Sequence, residues 1–353
     1  MPPSSRKISN IIVATTFLAI IATSAWYALK QIELQTRARS KNALQTVLLT
    51  TQEALHIWIS QRKLGTAELA RNETLVNLTQ TLLTDMMNKR NTTKTVAAIR
   101  DVLDPRLALN GDRGFYILSA RGDNIASMHD AEIGKINQIS LQRKEYITDA
   151  FKGASTFIPA IKIDEPSIYT AAPVKNIAGN VIAVLVIQIN PKRQFTRITQ
   201  LGRIGESGET YAFDEHGTLI SESRFDAQLR SIGLIDPDSR GILSIRITDP
   251  GGNLLSGYTP TTTSSEQPLT RMAKDAIAGH AGYDISGYRD YRGVEVFGAW
   301  LWDKALGFGL TTEIDANEAL QPFYETRKAI IIMILLSLFL ASTFVFISRR
   351  KLD

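Results

Sequence analysis

The stretch Ala329–Ile347, AIIIMILLSLFLASTFVFI, contains no charged side chain and is closely followed by the basic run Arg-Arg-Lys at 349–351. A helix rises 1.5 Å per residue, so about twenty apolar residues cross the roughly 30 Å of hydrocarbon in a bilayer. The stretch therefore predicts a transmembrane helix, which we place at residues 326–347, before a cytoplasmic stub at 348–353. The alternative, a buried helix of a large soluble domain, does not need so long an apolar run.

A second uncharged run lies near the other end of the chain, where residues 8–29 read ISNIIVATTFLAIIATSAWYAL after Arg6-Lys7. It predicts a first transmembrane helix behind a cytoplasmic N-terminus at residues 1–7. Lys and Arg beside a span mark its cytoplasmic side, so we expect a two-pass protein of the inner membrane with residues 30–327 outside the cytoplasm. A cleaved signal peptide is the alternative, because Ala22–Ala25 offers small residues for cleavage.

The composition fits a membrane-anchored extracytoplasmic protein. The chain has no cysteine, which excludes disulfides, thiolate metal sites and cysteine nucleophiles. Lys and Arg number 40 against 35 Asp and Glu, and much of the net charge of +5 flanks the two apolar runs. Basic clusters in that position suit the headgroups of a lipid bilayer, and we expect no nucleic-acid partner.

Residues 30–104 have apolar positions at helical spacing, which predicts a stalk of long helices. A helix of about 35 residues reaches roughly 50 Å, so one rigid element can connect a distant module to the bilayer. We expect a break near Lys63–Gly65. A further helix is predicted over Thr92–Val102 and ends before Asp104-Pro105, because proline disfavours helical geometry in the residue that precedes it.

Two successive units with helices and strands follow the stalk, and they form an approximate internal repeat. The first unit comprises residues 105–191. Its predicted helix is Leu141–Phe151, and its predicted strands are Gly114–Ala120, Ile125–His129, Thr156–Ile163, Ile168–Val174 and Val181–Ile189. The second unit comprises residues 192–325. Its predicted helices are Phe195–Leu201 and Met272–Ala278, and Asp226–Ile235 is helical or irregular. Its predicted strands are Thr210–Asp214, Thr218–Glu222, Gly282–Tyr288, Val294–Trp302 and Gly307–Ile314. A short helix at Asp315–Tyr324 leads into the second span.

Four local patterns carry a family resemblance: APVKNIAGNVIAVLVIQI at 172–189, GRIGESGETYAFDEHGTLISES at 202–223, YRDYRGVEVFGAW at 288–300 and LGFGLTTEIDANEA at 306–319. In this order between two spans, residues 30–325 resemble the double Cache extracellular sensor domains of bacterial transmembrane receptors. The resemblance implies an α+β fold with two PAS-like antiparallel-sheet modules in tandem on a long N-terminal helix. Residues 105–191 would be the membrane-distal module and residues 192–325 the membrane-proximal module.

The resemblance also implies that a small ligand, such as an amino acid, a carboxylate or an amine, binds in the distal module. The Arg-x-Trp-Tyr arrangement that clamps an amino acid's carboxylate in this family is not present, since Leu141–Tyr146 reads LQRKEY. Arg143 or Lys144 can still offer a positive charge to an anionic group, or can face solvent.

The predicted ligand-binding residues are polar or aromatic side chains of the distal sheet and its covering helix. They are Tyr116, Ser127, His129, Arg143, Tyr146, Phe157 and Tyr169. Phe157 and Tyr169 suit core packing equally well. The corresponding candidates in the proximal module are Tyr211, Asp214, Tyr258, Tyr288 and Trp300.

No pattern predicts catalysis, a cofactor or a metal. The four histidines form no His-x-x-x-His pair, and the glycines of 202–208 are not followed by the Gly-Lys-Ser/Thr of a phosphate-binding loop. Arg121-Gly122-Asp123 suits a hairpin turn. An anchored extracellular enzyme is therefore the least favoured hypothesis.

The leading hypothesis is the small-ligand sensor region of a membrane signal-transduction receptor, acting on a cytoplasmic output domain of the histidine kinase, cyclase or chemotaxis type outside this chain. Two parallel chains would let their spans slide or rotate against one another, so we expect a homodimer along Gln31–Leu64. The alternative is a stand-alone, membrane-tethered binding or scaffold protein that signals through a partner.

Overall fold

A computed structural model describes residues 3–163, 165–236 and 241–350, so the ends of the predicted cytoplasmic segments, residues 1–2 and 351–353, lie outside the described residues. The helices are α1 Pro3–Ala70, α2 Glu73–Met87, α3 Thr93–Asn110, α4 Gln138–Gln142, α5 Lys144–Phe151, α6 Gln194–Leu201, α7 Asp226–Ser231, α8 Arg271–Ile277, α9 Ala316–Ala319 and α10 Gln321–Arg350. The strands are β1 Gly114–Leu118, β2 Asn124–Ser127, β3 Thr156–Lys162, β4 Pro166–Lys175, β5 Val181–Ile189, β6 Glu209–Phe213, β7 Gly282–Arg289, β8 Glu295–Asp303 and β9 Phe308–Asp315.

Helix α1 is the longest element and packs against both sheets. Its buried stripe follows the spacing of three and four residues that one helix face requires, with Leu44, Leu48, Leu55 and Ile59 in the core. The predicted break at Lys63–Gly65 is wrong, because the helix continues to Ala70. A helical glycine costs only about 1 kcal/mol relative to alanine, and burial of the following turn offsets that cost.

Helix α3 also runs further than predicted. It passes through Pro105 and ends at Gly111, whose left-handed φ of 67° closes the helix. Proline removes one backbone hydrogen bond. The stripe that includes Leu103 and Leu107 is buried on both sides of the proline, and this packing holds the helix together.

The first sheet has the order β2-β1-β5-β4-β3 with antiparallel neighbours. Strand β5 lies at its centre, which explains the nearly continuous apolar run of residues 181–189. One face packs against α1 and the other is covered by α5. The predicted helix Leu141–Phe151 is divided at Arg143 into α4 and α5, since Arg143 leaves helical geometry with φ −136° and ψ 47°.

The second sheet has the order β6-β9-β8-β7, which reproduces the order β1-β5-β4-β3 of the first. Among the described residues no strand takes the place of β2 beside β6, where a single bridge joins Phe213 to Leu219. The predicted strand Thr218–Glu222 forms isolated bridges instead, because the Leu219 backbone N–H donates to the Ile245 carbonyl at 2.9 Å. The mixed helix and antiparallel-sheet fold on a long N-terminal helix is confirmed. We call residues 105–191 the first module and residues 192–325 the second module.

The C-terminal helix α10 continues the chain directly after β9 and α9. Within the described residues, one segment, Gln321–Thr343, is long and apolar enough to cross a membrane. Its large apolar side chains are exposed, among them Ile332, Leu335 and Phe339. Exposure of such side chains along a whole helix is typical of a membrane span rather than of a soluble core.

Candidate functional site

Three of the predicted tyrosines meet on the α5-covered face of the first module. Tyr116 lies on β1, Tyr169 on β4 and Tyr146 on α5, and all three belong to one apolar cluster with Ile158 and Val186. Alternation along the strands brings Tyr116 and Tyr169 to the same face, as the sequence predicted for Tyr116. This face combines aromatic rings with hydroxyl groups inside an otherwise apolar cluster.

A carboxylate lies at the polar edge of this face. Ser127 is the cross-strand partner of Tyr116, and both hydroxyls donate to Glu132, with 3.4 Å between Tyr116 Oη and Glu132 Oε1. The Asn124 side-chain amide donates to the Glu132 carbonyl at 3.1 Å and fixes the turn that carries this residue. A carboxylate held in this way can accept hydrogen bonds from an ammonium group.

Glu132 was not among the predicted site residues. It ends a 3-10 turn, Asp130–Glu132, that folds back towards β2. No periodicity in residues 129–134 indicates such a return, so the sequence carries no signal that places this carboxylate beside Tyr116 and Ser127.

Three predicted residues lie away from this group. His129 follows β2 and is exposed. Phe157 projects from the α1 face of the sheet, where its ring centroid is 6.5 Å from that of Trp58 and 6.4 Å from that of Phe308. Arg143 points to the second module, where its Nη1 lies 3.1 Å from Glu215 Oε1. The structure therefore brings together four of the seven predicted side chains, Tyr116, Ser127, Tyr146 and Tyr169.

Helix α5 connects the candidate site to the second module. The Tyr146 hydroxyl lies 3.1 Å from the position that a Cβ would take at Gly307, in the turn between β8 and β9. Burial raises the pKa of the Tyr146 hydroxyl. Burial alone would raise the pKa of Glu215 as well, but the hydrogen bond and charge of Arg143 outweigh it and hold that pKa below its usual range.

The candidates of the second module are dispersed. Tyr211, Tyr288 and Trp300 are buried on the sheet face that packs against α8. Asp214 closes a turn by accepting from the backbone N–H groups of His216 and Thr218 at 2.9 and 2.8 Å. Tyr258 lines a separate open cavity of about 530 Å³.

The described residues contain no group of His, Asp and Glu side chains arranged to hold a metal ion. Glu132, Glu209 and Glu313 instead accept hydrogen bonds from hydroxyl groups, and Asp290 pairs with a guanidinium group.

No protein-family model matches the sequence, and no curated protein matches it significantly. Solved structures do match. The sensory domain of the Campylobacter jejuni chemoreceptor Tlp3 with isoleucine bound is 12% identical, with a TM-score of 0.50, over 81% of this chain and 97% of that chain. The chain has the fold of this sensory domain.

Two further neighbours match at lower TM-scores. The sensor domain of the V. cholerae histidine kinase DctB is 14% identical, with a TM-score of 0.47, over 77% of this chain and 95% of that chain. The ligand-binding domain of Mlp24 with asparagine is 11% identical, with a TM-score of 0.46, over 82% of this chain and 98% of that chain.

Proposed function

We propose that this chain is the extracytoplasmic ligand-sensing region of a membrane signal-transduction receptor, with the first module as the membrane-distal ligand site. The observation that carries the proposal is the position of α5. One side of α5 covers the tyrosine face. At the start of this helix, Arg143 contacts Glu215 and Tyr146 lies beside Gly307 of the second module. A ligand that binds more tightly when α5 is in one of two positions raises the population of that position. The second module then responds through its contacts with α5.

The ligand that suits this site is a small molecule with an ammonium group, such as an amino acid or an amine. The Glu132 carboxylate would take the ammonium group, and Tyr116, Tyr146 and Tyr169 would line the remainder. The Tlp3 and Mlp24 domains are described with isoleucine and asparagine, which are ligands of this class.

Two membrane spans, residues 8–29 and 326–347, belong to the same proposal. The N-terminal part of α1 exposes large apolar side chains, including Val13, Phe17 and Trp26. Helices α1 and α10 also contact one another, as two spans that leave the membrane side by side would. This topology places both modules in the periplasm, beyond the inner membrane.

A homodimer along α1 completes the proposal. Leu49, Ile57 and Leu64 are between 52% and 59% exposed on the side of α1 that faces away from both sheets. Apolar residues at spacings of seven and eight suit the seam of two parallel helices. A second copy of the chain would cover them.

The test of the ligand site is a thermal-unfolding screen of the full chain in detergent against amino acids, amines and carboxylates. A ligand at a hundredfold excess over its Kd stabilises the folded state by about 2.7 kcal/mol. We expect stabilisation by an ammonium-bearing compound, and we expect Glu132→Gln to abolish it.

Asp130→Asn is the matched control, because Asp130 is a neighbouring carboxylate whose side chain is 81% exposed and pairs with Arg100 away from the tyrosine face. This variant should keep the ligand response. If Glu132→Gln binds the same compound as tightly as the wild type does, the ligand site is elsewhere.

A further inference from the structure

Two glutamates of the second module face each other across neighbouring strands. Glu209 on β6 and Glu313 on β9 are register partners, and each is 4% exposed. Directly opposite residues of an antiparallel pair have Cβ atoms about 5 Å apart, and like charges there destabilise the sheet. Ionising both carboxyls away from water is therefore unfavourable, and one proton shared by the pair relieves the repulsion.

Hydroxyl groups surround both carboxyls. Tyr211 Oη donates to Glu313 Oε2 at 2.7 Å, and Tyr288 Oη donates to Glu313 Oε1 at 2.5 Å. The Tyr288 side chain reaches β9 across Gly298, where any Cβ would collide with its hydroxyl. On the other carboxyl, Tyr291 Oη donates to Glu209 Oε2 at 2.7 Å.

Glu209 has two further donors. Its Oε1 accepts from the hydroxyl of Ser223 at 2.7 Å and from the backbone N–H of Arg224 at 2.8 Å. The hydroxyls around both carboxyls can accept as well as donate, so a proton on either carboxyl has an acceptor beside it.

The cations nearby are committed to other groups. The buried Arg292 donates to Asp290 at 2.7 Å and to Asp315 at 2.8 Å. Arg224 donates to the Gly208 carbonyl, and Arg271 pairs with Asp284. The buried side chains of α7 and α8 that face the sheet are apolar: Leu229, Met272, Ala273 and Ala276. Within the described residues neither glutamate forms an ion pair, although the positive charge of Arg292 acts to lower the pKa of Glu209.

Burial and the negative charge of Asp290 raise the pKa of Glu313 to about 8, and Glu209 adds a smaller increase. The hydrogen bonds from Tyr288 and Tyr211 lower it but do not outweigh burial. Burial also raises the pKa of Glu209, and it raises that of Asp290 to about 6. A raised folded-state pKa means that the bound proton stabilises the fold, and that this stabilisation is lost as the pH rises from the unfolded value of 4.5 through the folded one.

We propose that the second module is a proton-responsive element in which Glu209 and Glu313 hold one dissociable proton, and that release of this proton to water moves β9 and the helix that follows it. The coupling is direct in the chain, since Glu313 lies two residues before the end of β9 and α9 and α10 follow at once. Asp315, at that end, is already held by Arg292. The movement of β9 and α10 on proton release rests on the proposed function, whereas the proton site at Glu209 and Glu313 does not.

The first test is infrared spectroscopy of the full chain in an ester-free detergent, following the C=O stretch of protonated carboxyl groups from about pH 5 to about pH 10. We expect a band that disappears with a midpoint near pH 8. Glu313→Gln should remove it. The control Glu295→Gln, an exposed carboxylate on β8 of the same module, should leave it unchanged.

Tyr288→Phe gives a second test, which does not require that a glutamate variant folds. Its hydroxyl stabilises the ionised Glu313, so its loss should move the midpoint to higher pH. A downward shift, or the lack of any Glu313-dependent band above about pH 6, overturns the proton site.

Coupling is measured with spin labels at Gln35→Cys on α1 and Glu325→Cys on α10, both exposed positions in a chain without native cysteine. We expect the distance between the labels to change with the same midpoint, and to become independent of pH in Glu313→Gln. A constant distance alongside an intact infrared titration overturns the coupling. Failure of the ligand screen leaves the infrared result untouched, so the two proposals fail separately.

Discussion

At the scale of single residues, the ion pair between Arg143 and Glu215 joins the start of α5 to the second module. Its side chains are 19% and 43% exposed, so solvent screens it and its contribution to stability should be no more than about 1 kcal/mol. We expect Arg143→Ala to lower the free energy of unfolding by less than that amount at neutral pH.

The pH dependence of this pair has a definite sign. Because the pKa of Glu215 is lowered in the folded protein, its contribution is present above the ordinary value of 4.5 and disappears as the pH falls through the folded value. Denaturant unfolding of the wild type and Arg143→Ala should therefore give converging free energies in acid. The charge-reversed double variant Arg143→Glu with Glu215→Arg should recover the difference at neutral pH, and a difference that persists in strong acid would contradict this account.

Residue-level prediction from the sequence reached only part of the site. Strand alternation and the hairpin brought Tyr116 and Ser127 to one face, because a period of two fixes the side of every residue. Arg143 and Glu132 could not be placed in this way. The position of the first depends on a module far along the chain, and that of the second on a 3-10 turn without a sequence pattern.

At the scale of elements, α1 and α3 contradict local rules where tertiary packing is strong. Gly65 and Pro105 indicate helix ends, yet both lie inside helices whose apolar stripes are buried. Strands were easier to predict, as β5 occupies the predicted Val181–Ile189. Its long apolar run indicates a strand buried on both faces, whereas the end of a helix depends on tertiary contacts that the sequence does not show.

Gly65 allows a direct test at this scale. It is helical, and nothing lies within 4 Å of the position that a Cβ would take. Gly65→Ala should therefore stabilise the protein by about 0.5–1 kcal/mol, because alanine restricts the unfolded chain without a clash. Thermal or denaturant unfolding measures the change, and Gly202→Ala serves as a contrast because a Cβ there collides with Val47. Destabilisation by Gly65→Ala would show that the backbone at this point needs glycine.

At the scale of the whole molecule, one rigid helix serves two modules. α1 is tied to the first module by Thr66, whose Oγ1 lies 2.7 Å from Thr170 Oγ1, and to the second by His56 Nε2, which lies 2.6 Å from Asp303 Oδ2. Trp58 lies between these contacts, and its ring packs against that of Phe195 in a tilted arrangement with 6.0 Å between the centroids. The relative position of the modules is therefore set along α1.

The homodimer belongs to this scale, and single cysteines along α1 test it. Cysteine at Leu49, Ile57 or Leu64 should crosslink two copies in membranes, because these exposed positions share one side of the helix. Cysteine at Leu48 or Leu55, which are buried against the sheets, should not. A lack of crosslinks at all three exposed positions would contradict a dimer along α1.

A small tilt of α1 would be amplified towards the membrane. Lys30, the first residue after the predicted span, is 28 residues from Trp58, or roughly 42 Å along a straight helix. A tilt of about 3° around the Trp58 contact would move the membrane end of α1 sideways by roughly 2 Å, while the side chains near the pivot move by a small fraction of that. A rearrangement that moves the side chains at the junction of the modules very little would thus displace the helix by roughly 2 Å at the bilayer.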